Sequence, residues 1–115
     1  MIFVVDDDPR ILRLTSEALI AEGHSVTAFS DGSAALAALK DGTPPHVLIT
    51  DVLMPVMSGP TLARAAHAAL PALRILFMSG DIGETPHADF GGWEVLPKPF
   101  TSAALCAALA RVLAR

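Results

Sequence analysis

The sequence predicts an α/β domain in which a five-stranded parallel sheet carries helices on both faces. Three observations lead there. Short apolar runs alternate five times with segments of helical period. Most of those runs are apolar at nearly every position, as strands buried on both faces must be. The 115 residues suffice to close one core but not two, so the alternation belongs to a single domain.

Taken in order, the strand candidates are "IFVV" (2–5), "SVTAF" (25–29), "HVLIT" (46–50), "RILFM" (74–78) and "WEVL" (93–96). The first helix has Asp8 as its cap, Pro9 at its first position and Gly23 just past its end. Its apolar stripe is Ile11, Leu14, Ala18 and Leu19. A second helix starts at Ser30 or Asp31, runs through Leu36 and Leu39, and stops at "DGTPP". A third covers Gly59 to Leu70, ending before Pro71. The last begins at Thr101, with Leu105, Leu109, Val112 and Leu113 on one face. Between the fourth and fifth strands, "DIGETPHADFGG" (81–92) holds three glycines and a proline, so a helix there is short, within Pro86 to Phe90, or missing.

Composition removes several function classes. With 52% apolar and 17% charged residues the chain is globular rather than disordered. Its net charge is −4, and its eight Lys and Arg form no basic run, so no nucleic-acid surface is expected. No segment approaches the roughly 18 apolar residues that span a bilayer. The single cysteine, Cys106, permits no internal disulfide and reads as a packing residue in a reducing, cytoplasmic setting. The four histidines (24, 46, 67 and 87) have no metal-ligand spacing.

In open α/β sheets the site forms outside the carboxyl ends of the strands, so the residues just past each strand are informative. Asp6, Asp7 and Asp8 stand after the first strand, Asp51 after the third, Ser79 and Gly80 after the fourth, and Lys98 after the fifth. Oxygen ligands of this kind suit Mg²⁺, and a divalent cation offsets the repulsion among ionised carboxylates. A carboxylate can also serve as the nucleophile in phosphoryl transfer, forming an aspartyl phosphate, with a metal, a lysine and a hydroxyl neutralising the phosphoryl oxygens. Asp8, beside Pro9, reads as the helix cap and stands apart from the metal set. Met54 and Met57 pack or edge the site.

Four motifs, "VVDDDP", "ITDVLMP", "FMSGD" and "LPKPF", stand in this order at successive strand ends. Together they resemble the receiver domain of two-component response regulators of the chemotaxis-regulator type, over essentially the whole of residues 1–115. The resemblance implies a flavodoxin-like, doubly wound sheet of order 2-1-3-4-5. It implies Asp51 as phosphoacceptor, and Mg²⁺ held by Asp6, Asp7, Asp51 and the backbone carbonyl of Leu53. Ser79 would turn its hydroxyl toward the phosphoryl group, Lys98 would pair with it, and the Lys98–Pro99 bond would be cis. The donor implied is a phosphohistidine on a histidine kinase or phosphotransfer protein. The signal would leave through contacts with a downstream protein, with no separate output domain and no enzymatic role beyond self-catalysed phosphotransfer and dephosphorylation. A single-domain regulator and a receiver from a hybrid kinase both fit.

The chain also departs from that pattern. Val95 stands where an aromatic residue is usual, three residues before the lysine, and Trp93 lies two residues earlier on the same strand face. Leu53 and Asp81 fall at the two positions that, by resemblance, tune the lifetime of the phosphoryl group. Rival readings are a receiver-like adaptor that works unphosphorylated, a flavodoxin-like electron carrier and a haloacid-dehalogenase-like phosphatase. Three aspartates after the first strand would repel a flavin phosphate. The phosphatase needs an Asp two residues after its nucleophile, the position that Leu53 occupies relative to Asp51.

Overall fold

The computed structural model describes residues 1–80 and 91–115. The predicted short or missing helix within 86–90, and Asp81, lie outside the described residues. Among those described, the elements run β1 (Ile2–Val5), α1 (Pro9–Ala21), β2 (Val26–Phe29), α2 (Gly32–Leu39), β3 (Val47–Asp51), α3 (Gly59–Ala69), β4 (Arg74–Ser79), β5 (Glu94–Pro97) and α4 (Ser102–Leu113). All strand pairs are parallel, in the order β2-β1-β3-β4-β5 implied by the resemblance.

The uniformly apolar strands are explained by the helices that cover both faces of the one sheet. Successive side chains point to opposite faces of a sheet. Phe3, Val5, Leu48, Ile75 and Phe77 therefore pack with Ala35, Leu39, Leu62 and Ala66 of α2 and α3. Ile2, Val4, Ile49, Leu76 and Met78 pack on the other face with Leu19 of α1 and with Leu105, Leu109 and Val112 of α4. Trp93 and Val95 both join the first cluster, so strand alternation does keep them on one face. The Trp93 ring meets Phe77 at 6.0 Å and His67 at 5.5 Å between centroids.

Each of these helices starts on a side-chain cap. Asp8, Asp31, Ser58 and Thr101 accept from backbone amides of the first turns. Asp31, rather than Ser30, is the cap of α2.

Two apolar stripes differ from expectation. In α1, Leu14 is 64% exposed, and the buried residues are Thr15 and Leu19, with Leu12 and Ala18 packed beside them. Both sets have helical spacing and share Ala18 and Leu19, so periodicity cannot separate them. The sheet chooses Thr15, whose short side chain fits beneath the helix with its hydroxyl 3.9 Å from the Met78 sulfur. In α4, Leu113 is 41% exposed and Ala108 takes the inward position instead, because a small residue lets the helix approach the sheet closely.

Candidate functional site

Register assembles the site. Val5 pairs with both Phe29 and Thr50, Asp51 with Met78, and Ser79 with Pro97. The residues after β1 and β5 therefore emerge level with the ends of β3 and β4.

Asp6 continues the sheet through its amide, which donates to the Phe29 carbonyl at 3.2 Å, and its side chain is wholly buried. One carboxylate oxygen accepts from the Asp8 amide at 2.9 Å and the other from Lys98 Nζ at 2.8 Å. Asp7 points to solvent. Asp8 accepts from the Arg10 amide at 2.9 Å as the α1 cap, and that hydrogen bond holds its carboxyl below the usual range. The acidic triplet thus divides, with its third member committed to starting a helix.

Asp51 ends β3, 8% exposed, with Oδ1 accepting from the Val52 amide at 2.9 Å and 3.2 Å from Lys98 Nζ. Burial pushes its pKa from 3.8 up to about 6, the Asp6 charge adds to the rise, and Lys98 opposes it. Burial draws the Lys98 pKa down, but the hydrogen bond to Asp6 and the charges of Asp51 and Asp6 outweigh that, and the net shift is upward. Ser79 is buried at the end of β4, and its carbonyl accepts from the Lys98 amide at 2.8 Å, tying the lysine's turn to the sheet. The Lys98–Pro99 peptide is cis, as the resemblance implies. Leu53 projects outward, 61% exposed, from the loop after β3.

Carboxylate oxygens of Asp6, Asp7 and Asp51 lie within 4.8 Å of one another. An oxygen-only donor set with open positions fits a hard divalent cation. These residues and Lys98 therefore converge as the sequence predicts.

Two contributors escape a reading of the sequence. Thr50 donates its hydroxyl to the Asp51 carbonyl at 3.0 Å, and its place next to the acid is the only signal for it. Gly59, the first residue of α3, donates to the Val52 carbonyl at 2.8 Å, and a Cβ there would stand 2.1 Å from the Asp51 carbonyl oxygen. Nothing in the sequence distinguishes this glycine from an ordinary residue at a helix start.

The raised Asp51 pKa carries a pH signature. The unfolded carboxyl ionises near 3.8 and the folded one near 6, so between these values the folded state binds more protons and stability falls as pH rises. At about 1.4 kcal/mol per pKa unit the loss is on the order of 3 kcal/mol, complete above about pH 7. Urea unfolding of chelator-treated protein should record this slope, and Asp51→Asn should flatten it. A wild-type profile that matches Asp51→Asn across this window would refute the assignment.

The response regulator receiver domain family model matches residues 2–110. The receiver protein CpdR of Brucella abortus is 36% identical over 102 residues, covering 86% of this chain and 84% of CpdR. The DNA-binding transcriptional regulator NtrC of Salmonella typhimurium is 35% identical over 87% of this chain, which spans only 22% of that regulator. The crystal structure of the NtrX receiver domain from Brucella abortus superposes with a TM-score of 0.89 at 28% identity, covering 99% of this chain and 98% of that one. These likenesses give the electron-carrier alternative no support. Strand order, the acids at the strand ends and the family match agree, and the chain belongs to the receiver domains of two-component response regulators, the domains of phosphorelay signalling.

Proposed function

We propose that this domain accepts a phosphoryl group from a protein phosphohistidine onto Asp51, with Mg²⁺, and passes the signal on through protein contacts. The single observation behind this reading is the meeting of Asp51, Asp6 and Lys98 at one sheet edge, with Lys98 Nζ 2.8 Å from Asp6 and 3.2 Å from Asp51. In the transfer, an Asp51 carboxylate oxygen bonds to phosphorus as the bond from phosphorus to the imidazole nitrogen breaks. The imidazole leaves with the electron pair and takes a proton from water. Lys98 pairs with the phosphoryl oxygens and the Ser79 hydroxyl donates to them. Asp6, Asp7, Asp51 and the Leu53 carbonyl would hold Mg²⁺, which supplies positive charge for those oxygens when bound.

Asp51 titrates near 6 and so stands largely ionised at neutral pH, as a nucleophile must. Residues 1–115 act as one receiver unit, in the cytoplasm, with a histidine kinase or phosphotransfer protein upstream and a protein target downstream. No described helix is long and apolar enough to cross a membrane. The role is signal transfer, and the only catalysis is the domain's own phosphorylation and dephosphorylation.

Intact-mass spectrometry after incubation with acetyl phosphate tests the reading. A gain of one phosphoryl group is expected with Mg²⁺ and not with chelator, and Asp51→Asn should gain none. Equal labelling of wild type and Asp51→Asn would exclude it.

Leu53 adds a prediction about lifetime. Its exposed apolar side chain, two residues from Asp51, shields the acyl phosphate from attacking water. Leu53→Asn should hasten phosphate loss by about tenfold, roughly 1.4 kcal/mol of barrier. Phosphate release timed after removal of donor reads this, and an unchanged rate discards the role.

A further inference from the structure

Thr50 is wholly buried in β3, with Val5 beside it on one neighbouring strand and Phe77 on the other. It stands two residues after Leu48 and so shares its face of the sheet, the one that α2 and α3 cover. Valine would fill that space with the same shape and without the cost of burying a hydroxyl. The Thr50 hydroxyl therefore contributes nothing to packing.

Its use lies in a hydrogen bond. A carbonyl only accepts, so the hydroxyl is the donor in its 3.0 Å bond to the Asp51 carbonyl oxygen. That carbonyl shares one rigid peptide plane with the Val52 amide. The Val52 N–H is divided between two acceptors, Asp51 Oδ1 at 2.9 Å and the Met78 carbonyl at 3.1 Å. An N–H shared in this way shifts toward one acceptor or the other on a small rotation of its plane. Thr50 grips the opposite edge of that plane, and a bond to the carbonyl also polarises the N–H across it. Gly59 comes close to the same carbonyl oxygen but gives its own amide to the Val52 carbonyl.

We infer that Thr50 is a positioning residue for phosphoryl transfer, its hydroxyl fixing the peptide whose amide holds the Asp51 carboxylate in place. This rests on the phosphoacceptor reading of Asp51. The amide pins Oδ1, which sets the plane of the carboxylate and with it the oxygen that meets phosphorus. Without the hydroxyl the peptide is free to tilt toward Met78, and Oδ1 keeps only Lys98, 3.2 Å away. Being wholly buried, Thr50 itself touches no phosphodonor.

The test compares Thr50→Val and Thr50→Ser with wild type. Labelling by acetyl phosphate with Mg²⁺ is one readout, and the amide NMR spectrum of chelator-treated protein is the other. Thr50→Val keeps the shape and removes one hydrogen bond, so its folding equilibrium constant should stay within about tenfold of wild type. Its maximal labelling rate should fall about tenfold, with the half-saturating donor concentration within about twofold. The Val52 amide proton should move upfield as its bond to Oδ1 lengthens. Thr50→Ser restores the hydroxyl and should recover most of the rate and the Val52 resonance. If Thr50→Val does not fold, Thr50→Ala against Thr50→Ser repeats the comparison, because neither has the methyl group and only serine has the hydroxyl. The serine variant should then label about tenfold faster. A wild-type rate in Thr50→Val overturns the inference, and so do equal rates in Thr50→Ala and Thr50→Ser. A slow Thr50→Val whose Val52 amide proton has not moved, or an equal loss in Thr50→Val and Thr50→Ser, overturns it too. Failure of acetyl phosphate to label Asp51 in wild type would instead remove the phosphoacceptor reading, and this inference with it.

Discussion

Lys98→Met is expected to destabilise the metal-free domain by about 3 kcal/mol at neutral pH and to slow labelling by acetyl phosphate about 100-fold. Burial is the reason. The Asp6 side chain is wholly buried and has Lys98 Nζ at 2.8 Å, and the same ammonium stands 3.2 Å from Asp51. Methionine keeps the length and apolar stem but leaves two neighbouring carboxylates without that cation. Removing one partner of a buried pair typically costs about 3–5 kcal/mol. The lower end applies because the Lys98 side chain is 17% exposed. Asp51, already raised to about 6, takes up a proton first, and this caps the loss. Added Mg²⁺ should return most of the stability, since a ligand at about 100 times its Kd contributes about 2.7 kcal/mol. On the proposed transfer it should not return the rate, because no ammonium would pair with the phosphoryl oxygens. Urea midpoints with and without Mg²⁺, together with labelling time courses, separate the two effects. A wild-type midpoint in the variant under chelator would mean that the lysine does not compensate the buried acids.

Gly59→Ala should be almost as damaging, although it adds only a methyl group at a helix start. The added Cβ would lie 2.1 Å from the Asp51 carbonyl oxygen and 3.0 Å from both the Asp51 carbonyl carbon and the Val52 Cα. All three are backbone atoms, so no side chain can rotate away, and either α3 or the end of β3 must move. Overpacking of this kind costs about 1–3 kcal/mol, against less than about 1 kcal/mol gained from alanine's helix propensity. Moving the helix stretches the 2.8 Å hydrogen bond from the Gly59 amide to the Val52 carbonyl. Moving the strand displaces the Asp51 carboxylate from Lys98. A misplacement of about 1 Å in a reacting group can cost about 100-fold in rate. Labelling by acetyl phosphate should therefore fall by one to two orders of magnitude, with a lower urea midpoint. Wild-type values for both would show that α3 has room to spare.

The chemistry is legible in the sequence because each functional residue stands at the end of an apolar strand, and parallel strands deliver their carboxyl ends to one edge. Asp8 with Pro9 is legible as a cap because both signals are local. The inward face of α1 is not, because Ile11 with Leu14 and Leu12 with Thr15 satisfy the same period, and only the sheet beneath chooses between them. Gly59 is invisible because its importance lies in a close approach to Asp51, eight positions earlier in the chain, which no local pattern encodes. Val56 runs against expectation, since residues of its type avoid positive φ. Strand register, which sets Asp51 beside Met78 and Ser79 beside Pro97, emerges only with the tertiary structure.

That Asp51 carries the phosphoryl group has a direct chemical test. The protein is labelled with acetyl phosphate and Mg²⁺, reduced at once with borohydride, digested and sequenced by tandem mass spectrometry. Reduction converts an aspartyl phosphate to homoserine and leaves free aspartates unchanged. Homoserine is expected at position 51 and at no other aspartate. Homoserine at Asp6 or Asp7, or phosphate on Ser79 with Asp51 intact, would contradict the assignment.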